Sequence, residues 1–326
     1  MIFLVNRSLD TYFNMAAEEY FLDHAQEDVF LFWQNRNTIV VGKNQNTLSE
    51  IDADYVEAHG IQVVRRLTGG GAMYQDLGNL NFTYICKNTG GWFSDFSRFT
   101  DPVIRALREL GVPAELSGRN DITVDGRKIS GNAQTVRSDK LLHHGTLLFD
   151  SNVDVLSGAL KPDREKVRSK GVASVASRVA NINEFLDEKL NCERLIQEIK
   201  KSVAQAYPAL RDVQLTPEDR AAIQRLADEK YRTWEWNYGY SPKYDFSKKS
   251  RFAGGSVEVC FQVADGVIQN ARIFGDFFGV QDVSALESAL CGVRHTPEAL
   301  RQVLGKFDLS EYFLRIAPDE ILQAMY

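Results

Sequence analysis

The stretch RRLTGGGAMYQDLGNLNFTYI, Arg65 to Ile85, joins two arginines, three consecutive glycines and a tail with strand character. Glycine lacks a Cβ, so such a run can take unusual dihedrals and lets a ligand approach the backbone. Arginine offers a planar fork of donors, and successive backbone N–H groups add a concave patch of partial positive charge. Neither the dinucleotide fingerprint nor the phosphate loop ending in Gly-Lys-Ser/Thr is present. Taken alone, the stretch fits a tight turn and an anion-binding loop equally. Its tail alternates, placing Leu80, Phe82, Tyr84 and Cys86 on one face of a strand. The preceding IQVVRRL reads as the strand that delivers the arginines and glycines to its end.

Outward from this stretch, helices and strands mix. NMAAEEYFLDHA (Asn14 to Ala25), EIDADYVEAHG ended by Gly60, and SRFTDPVIRALRELG ended by Gly111 read as helices. VFLFWQN, TIVVGKN and LLHHGTLLFD read as strands, and DITVDGRKISGNAQTV as a hairpin turning at Asp125-Gly126. Further helices are expected at about Cys192 to Ala206 and Thr216 to Tyr231, the second opened by a Thr-Pro cap. A linker at 237–250 and a C-terminal hairpin from Gly255 complete the chain. Much of the strand pairing is local. The fold class expected is α+β: a mixed or antiparallel sheet flanked by helices, plus a small C-terminal α+β domain. The divisions expected are 1–236, the linker at 237–250, and 251–326.

The 326 residues suit two domains. A net charge of −6 argues against a nucleic-acid binder, so any anion site must be a local concentration of positive charge. The N-terminus does not read as a signal peptide, and no apolar run approaches the ~20 residues needed to cross a bilayer. Cys86, Cys192, Cys260 and Cys291 are widely spaced, without a CxxC or Cys/His cluster, so structural zinc is not expected. A cytoplasmic protein with reduced thiols is the reading.

Three further pieces bear on chemistry. Lys128, in GRNDITVDGRKISGNAQ, faces the opposite side of its strand from Arg127 and precedes Ser130-Gly131, a point of close backbone approach. A lone lysine in a hairpin is ordinarily just solvated. The segment Lys161 to Arg178 carries Lys161, Arg164, Lys166, Arg168, Lys170 and Arg178 against Asp163 and Glu165, or 6 − 2 = +4. It reads as a solvated loop or a functional cover. His144 in HHGTLLFD is read as a hydrogen-bonded structural group before a base or a ligand.

Together, RRLTGGGAMYQDLGNLNFTY, GRNDITVDGRKISGNAQ, HHGTLL and SKGVASVASRVANI resemble lipoate–protein ligases in order and spacing, over nearly the whole chain including WEWNYG and GDFFG. The resemblance implies the biotinyl/lipoyl ligase catalytic fold, related to class II synthetase cores. It implies a two-step reaction: free lipoate and ATP, with Mg²⁺, give lipoyl-AMP and pyrophosphate, then an acceptor lysine takes the lipoyl group. The implied acceptors are apo lipoyl domains of 2-oxoacid dehydrogenase E2 subunits or the glycine cleavage H protein, with no nucleic acid or membrane partner. Lys128 is implied as the catalytic residue, neutralising charge in the transition state. The implied binding set is Arg66, Thr68, Gly69, Gly70, Gly71, Ala72, Met73, Tyr74, Asn79, Asn120, Asp121, Gly131, His144, Gly145, Lys170, Ser174 and Arg178, with Asp121 toward the metal. The Lys161 to Arg178 segment would close over the adenylate. Gln75 departs from the pattern, where a histidine is common. Three rivals remain: a cysteine-dependent octanoyl or lipoyl transferase of the same fold, a biotin ligase, and a non-catalytic lipoyl carrier or regulator.

Overall fold

The alternation along Asn79–Lys87 organises the larger, N-terminal part of the protein, whose computed structural model describes residues 1–118, 120–153, 155, 159–160, 178–238 and 246–326. This strand, β6, is near the middle of a mixed eight-stranded sheet. The spatial order is β11 (Arg211–Asp212), β1 (Ile2–Val5), β2 (Val29–Trp33), β6, β10 (Lys140–Leu148), β9 (Arg127–Arg137), β8 (Asp121–Val124) and β7 (Glu115–Ser117). β1 runs parallel to β2 and β11, and the remaining pairs are antiparallel. Leu80, Phe82, Tyr84 and Cys86 enter the main core, as their alternation requires, against the helices Phe96–Glu109 and Cys192–Ala206. The other face of β6 presents Asn79, Asn81 and Thr83, all buried.

Over that polar face lie the helix Thr11–His24 and a smaller sheet of order β4 (Gln62–Arg65), β3 (Thr38–Val41), β5 (Met73–Gln75). β4 ends where the glycine loop begins. The β8–β9 hairpin turns at Asp125 and Gly126 with φ of 49° and 74°, as Asp-Gly turns favour. The Thr216 cap and Pro217 open the helix Pro217–Leu226, which continues as a wider turn over Ala227–Tyr231.

The C-terminal sheet is an antiparallel meander of β12 (Phe246–Phe252), β13 (Gly255–Ala264) and β14 (Val267–Gly275). It has a separate core built on Val257, Phe261, Ile273, Leu286, Leu300 and Phe313. The expected linker 237–250 is shorter than its composition implies. Asn237 closes the helix Trp234–Asn237, and Phe246 to Ser250 pair with β13, since alternate residues of that edge strand face the core. The C-terminal unit meets the loop after β3: Gly275 N donates to Asn44 O at 2.6 Å, and Lys43 Nζ pairs with Asp282 at 2.8 Å.

Arg65 secures that loop from below. Its guanidinium donates to the carbonyls of Gly42, Lys43, Gln45, Trp236 and Asn237 and to Thr47 Oγ1, at 2.7 to 3.1 Å. Burial lowers its pKa to about 10, which leaves it charged at neutral pH. Lysine has three donors on one nitrogen and cannot span this set. Arg65→Lys should cost about 3 kcal/mol or more in a denaturant titration, at roughly 1.5 kcal/mol for each lost charge-assisted bond.

His143 is fully buried among Phe82, Phe96 and Phe99, and bonds Gln134 and Asn132. Burial, then the neighbouring His144, holds its pKa well below 6.5. A depressed histidine contributes stability above its unfolded pKa and loses it as pH falls, because the unfolded chain takes the proton first. Unfolding free energy should therefore fall by up to about 1.4 kcal/mol per pH unit below about pH 6.5. Denaturant titrations from pH 8 to 5 should show His143→Leu losing that component.

Candidate active site

The site is built where the glycine loop meets the polar face of the large sheet. Arg66 lies beneath the loop. Its Nη2 donates to Gly69 O at 2.7 Å and Gly71 O at 2.9 Å, Nη1 to Val40 O at 3.3 Å, and Nε to Thr68 Oγ1 at 2.9 Å. With those carbonyls turned inward, trans peptide geometry turns the N–H groups of Gly70 and Ala72 the other way. Gly71, Ala72 and Met73 are half-buried and form the accessible part of the loop. Gly70 has φ +94°, and a Cβ there would meet Arg66 Nη2 at 2.9 Å and Phe278 at 3.1 Å. A Cβ on Gly69 would meet Phe277 O at 2.4 Å, so the C-terminal unit covers this side of the loop.

Beneath the loop runs a polar chain. Thr68 Oγ1 bonds His144 Nε2 at 2.8 Å, and His144 Nδ1 lies 2.9 Å from Glu18 Oε1. Glu18 accepts from Thr83 Oγ1 at 2.5 Å, and Trp33 Nε1 donates to Thr83 Oγ1 at 2.9 Å. Glu18 is 2% exposed, so its carboxylate answers the buried Arg66 charge through Thr68 and His144. Burial, offset partly by Glu18, lowers Arg66 to about 10. His144 therefore links Thr68 to Glu18. Glu18, Thr83 and Trp33 had no local sequence signal. Only the helix and strand packing brings them to His144.

Lys128 reaches the same face by a bulge. Asp121 pairs with Gly131 and Ile122 with Ser130, but Thr123 pairs with Lys128, leaving Ile129 as the extra residue. Ile129 turns into the core, and Lys128 shares a face with Asp121 and Gly131. Its ammonium lies 2.7 Å from Asp121 Oδ1, both side chains about one-third exposed. It crosses Gly131, where a Cβ would sit 2.9 Å from Nζ. The same point is 3.8 Å from Met73 Cε, so the glycine loop and Lys128 are neighbours. An exposed pair of this kind is worth only about 0.2–1 kcal/mol, so Lys128 is aimed by Asp121 without being committed to it.

The remaining expected residues divide. Asn120 is spent on the hairpin, donating to Asn132 O at 2.5 Å. Gly145 admits Asn132 and Phe82, either of which a Cβ would strike within 2.5 Å. Tyr74 contributes backbone only: its ring enters the small core of Ile39, Val63 and Ile61, and its hydroxyl, pushed up to about 12 by burial, donates to Asn37. Asn79 is buried and is taken up below. Arg178 lies just before Val179, which bridges Lys128, and Ala180 N donates to Lys128 O at 2.9 Å. Lys170 and Ser174, with 161–177 as a whole, lie outside the described residues.

Among the described residues no three His, Cys, Asp or Glu side chains cluster to hold a metal. Among the described residues, the carboxylate beside Lys128 is that of Asp121. That matches the way Mg²⁺ is held, by one or two carboxylates together with substrate phosphates. No helix among the described residues is long and apolar enough to cross a membrane.

The family model for the lipoyl protein ligase A/B catalytic domain matches residues 10–204, and that for the bacterial lipoate protein ligase C-terminus matches 241–325. The lipoate-protein ligase LplJ of Bacillus subtilis is 45% identical over 331 residues, covering all of both chains. Among solved structures, P. falciparum LipL1 in complex with lipoate superposes with a TM-score of 0.84 at 26% identity, over 99% of this chain and 98% of that one. A bi-partite lipoate protein ligase from Thermoplasma acidophilum, described with its E2 lipoyl domain, gives 0.66 at 28%, over 75% and 98%. Lipoate-protein ligase A bound with ATP gives 0.64 at 28%, over 73% and 98%. With a glycine loop held by a buried arginine, a bulge-aimed lysine, and both family models matched in order, the chain belongs to the lipoate–protein ligases.

Proposed function

We propose that the enzyme activates free lipoate with ATP and transfers it to a lysine of an apo lipoyl domain, of an E2 subunit or the glycine cleavage H protein. The observation that carries this is the pairing of Lys128 with Asp121 over Gly131, next to the Met73 side chain that follows the glycine loop. In the first step a lipoate carboxylate oxygen attacks the α-phosphorus of ATP, the bond to the β-phosphate oxygen breaks, and pyrophosphate leaves. In the second the acceptor amine attacks the lipoyl carbonyl, loses a proton, and AMP leaves. Lys128 stabilises the charge that gathers between carboxylate and α-phosphate, and the Ala72 N–H adds a fixed dipole from the loop. Arg66 and Thr68 hold that loop in shape. Asp121 would hold Mg²⁺ against the phosphates, which the metal would partly neutralise.

The segment Lys161 to Arg178 is read as the cover of the adenylate. Its flanks support this: Leu160 bridges Ile51 and Val179 bridges Lys128. The catalytic unit is taken as 1–236 and the accessory unit as 251–326, with Phe277 and Phe278 of the latter against the loop. We further infer that the accessory unit moves between the two steps, which solution scattering with and without ATP and lipoate would register as a changed interdomain distance. A cytoplasmic setting belongs to the same reading, and the four cysteines are free.

Cysteine chemistry has less support. Burial pushes the Cys86 thiol up to about 12 and Cys192 up to about 11, far from the low values a nucleophile needs. Cys86→Ala and Cys192→Ala should therefore keep ligation within a few-fold of wild type.

Lys128→Ala should lower pyrophosphate release with lipoate and Mg²⁺-ATP by about 10²–10³-fold, the usual cost of losing one transition-state donor. Acceptor mass gain on a panel of apo lipoyl domains should fall in parallel. Wild-type protein that releases no pyrophosphate and lipoylates no domain would sink the ligase reading.

A further inference from the structure

Six carboxamides are joined across the protein beneath β5. Asn6 Nδ2 donates to Asn14 Oδ1 at 2.8 Å, and Asn14 Nδ2 to Asn35 Oδ1 at 2.9 Å. Asn35 Nδ2 donates to Gln75 Oε1 at 2.8 Å, and Gln75 Nε2 to Asn81 Oδ1 at 2.9 Å. Asn79 Nδ2 donates to the same Asn81 oxygen at 2.9 Å. The direction is fixed at one end, because Asn14 Nδ2 also donates to the backbone carbonyls of Ser8 and Gln34, which can only accept. Every amide up to Asn81 must follow that direction. At the far end Asn79 spends its NH₂ on Asn81, and its Oδ1 is buried with no partner among the described residues. Asn79 is 1% exposed, and an acceptor buried without a donor costs about 1–3 kcal/mol.

We infer that Gln75 is a positioning residue that fixes the polarity of Asn79, so that the site presents an acceptor oxygen, and only an acceptor, to the nucleotide. This rests on the ligase reading. The chemistry of the substrates assigns the partner: a lipoate carboxylate, its alkyl chain and its dithiolane have no donor, and neither has an ionised triphosphate. The donors available are the ribose hydroxyls, the adenine amino group and water on the bound cation. The location agrees. Asn81 pairs with Thr146, Gly131 N donates to Thr146 Oγ1, and Gly131 pairs with Asp121, which puts Asn81 two strand spacings, about 10 Å, from Gly131 and the lysine over it, with Asn79 one row further along β6. Met73 spans the interval, with Sδ 3.4 Å from Gln75 Nε2 and Cε near Gly131.

Gln75→Glu tests the polarity directly. An ionised carboxylate accepts from Asn35, as glutamine does, but gives Asn81 no donor, so the Asn81 amide must turn its Nδ2 toward it and Asn79 must face its own oxygen to Asn81 and its NH₂ to the nucleotide. A protonated carboxyl still donates to Asn81 and leaves the order unchanged. The charged groups nearby are Asp76, which accepts from Gly78 N and Asn152 N, Arg36 on the adjoining turn, Glu18 and Glu19 on the helix above, His144 one row along, and the Lys128–Asp121 pair. All are present in wild type, so their titration cancels in the comparison. KM for ATP in Gln75→Glu should rise about tenfold relative to wild type as pH is raised and the carboxyl ionises, with KM for lipoate unmoved. Gln75→Leu should raise KM for ATP about tenfold at every pH, with kcat changed far less. A wild-type KM for ATP in Gln75→Leu, or a shift in KM for lipoate in place of ATP in either variant, would overturn the inference. A kcat near that of wild type certifies the fold of each variant. Inactive wild type would overturn the ligase reading beneath it.

Discussion

A guanidinium buried with no carboxylate in contact among the described residues is the constraint on which the site depends. Moving such a charge out of water costs several kcal/mol, so its donors must be met by oxygens. At Arg66 those oxygens are the carbonyls of Val40, Gly69 and Gly71 and the hydroxyl of Thr68. Satisfying the charge therefore dictates the loop: carbonyls in, amides out. Two of the three glycines follow from the same arrangement, since Gly70 lies at positive φ, and a Cβ on Gly69 or Gly70 would strike Phe277 or Phe278. Glu18 supplies the balancing charge at a distance, through His144 and Thr68. Loop shape, sheet polarity and one helix are thus parts of a single electrostatic arrangement.

That arrangement divides the site by sign. Around Lys128 and Ala72 the protein offers positive charge and an outward N–H, suited to carboxylate and phosphate. Along β6 it offers the buried Asn79 Oδ1, suited to a group with a donor, while Asn81 and Thr83 beside it are already bonded within the protein. One strand serves both the core and the site, because successive side chains take opposite faces.

The alternation of β6 was fully legible, and so were the Asp-Gly turn, the Thr216-Pro217 cap and the mixed sheet, since each depends on neighbours in sequence. Lys128 was legible as a residue but not as a geometry. Strict alternation places it opposite Ile129 and Arg127, and only the bulge at Ile129 brings it to the row of Asp121 and Gly131. The roles of Glu18, Asn35 and Gln75 were hidden, because Glu18 meets His144 across 126 residues and Asn35 meets Gln75 across 40. Gln75 stood out as a departure from the family pattern, yet its meaning appears only once Asn14 and Asn81 are beside it in the fold. The linker was read too long because Lys248, Lys249 and Ser250 look like solvated loop. An edge strand of a small sheet tolerates the same residues on its outward side.

The two arginines at the end of β4 are consecutive, so they leave the strand on opposite sides, and each closes a different structure. Arg66 holds the glycine loop. Arg65 holds the Gly42–Thr47 turn together with the carbonyls of Trp236 and Asn237. The turn in turn carries Asn44 and Lys43, which meet Gly275 and Asp282 of the C-terminal unit. Phe277 and Phe278 then return from that unit to the glycine loop. The path closes on itself: from Arg65 through the turn to the accessory unit, and from its aromatics back to the loop that Arg66 shapes. A displacement of the accessory unit must act on the Gly42–Thr47 turn and the glycine loop together, because both are fastened to adjacent residues of one strand. The Arg-Arg-Leu-Thr-Gly-Gly-Gly stretch therefore couples the placement of a domain to the shape of an anion site, and two adjacent side chains suffice to do it.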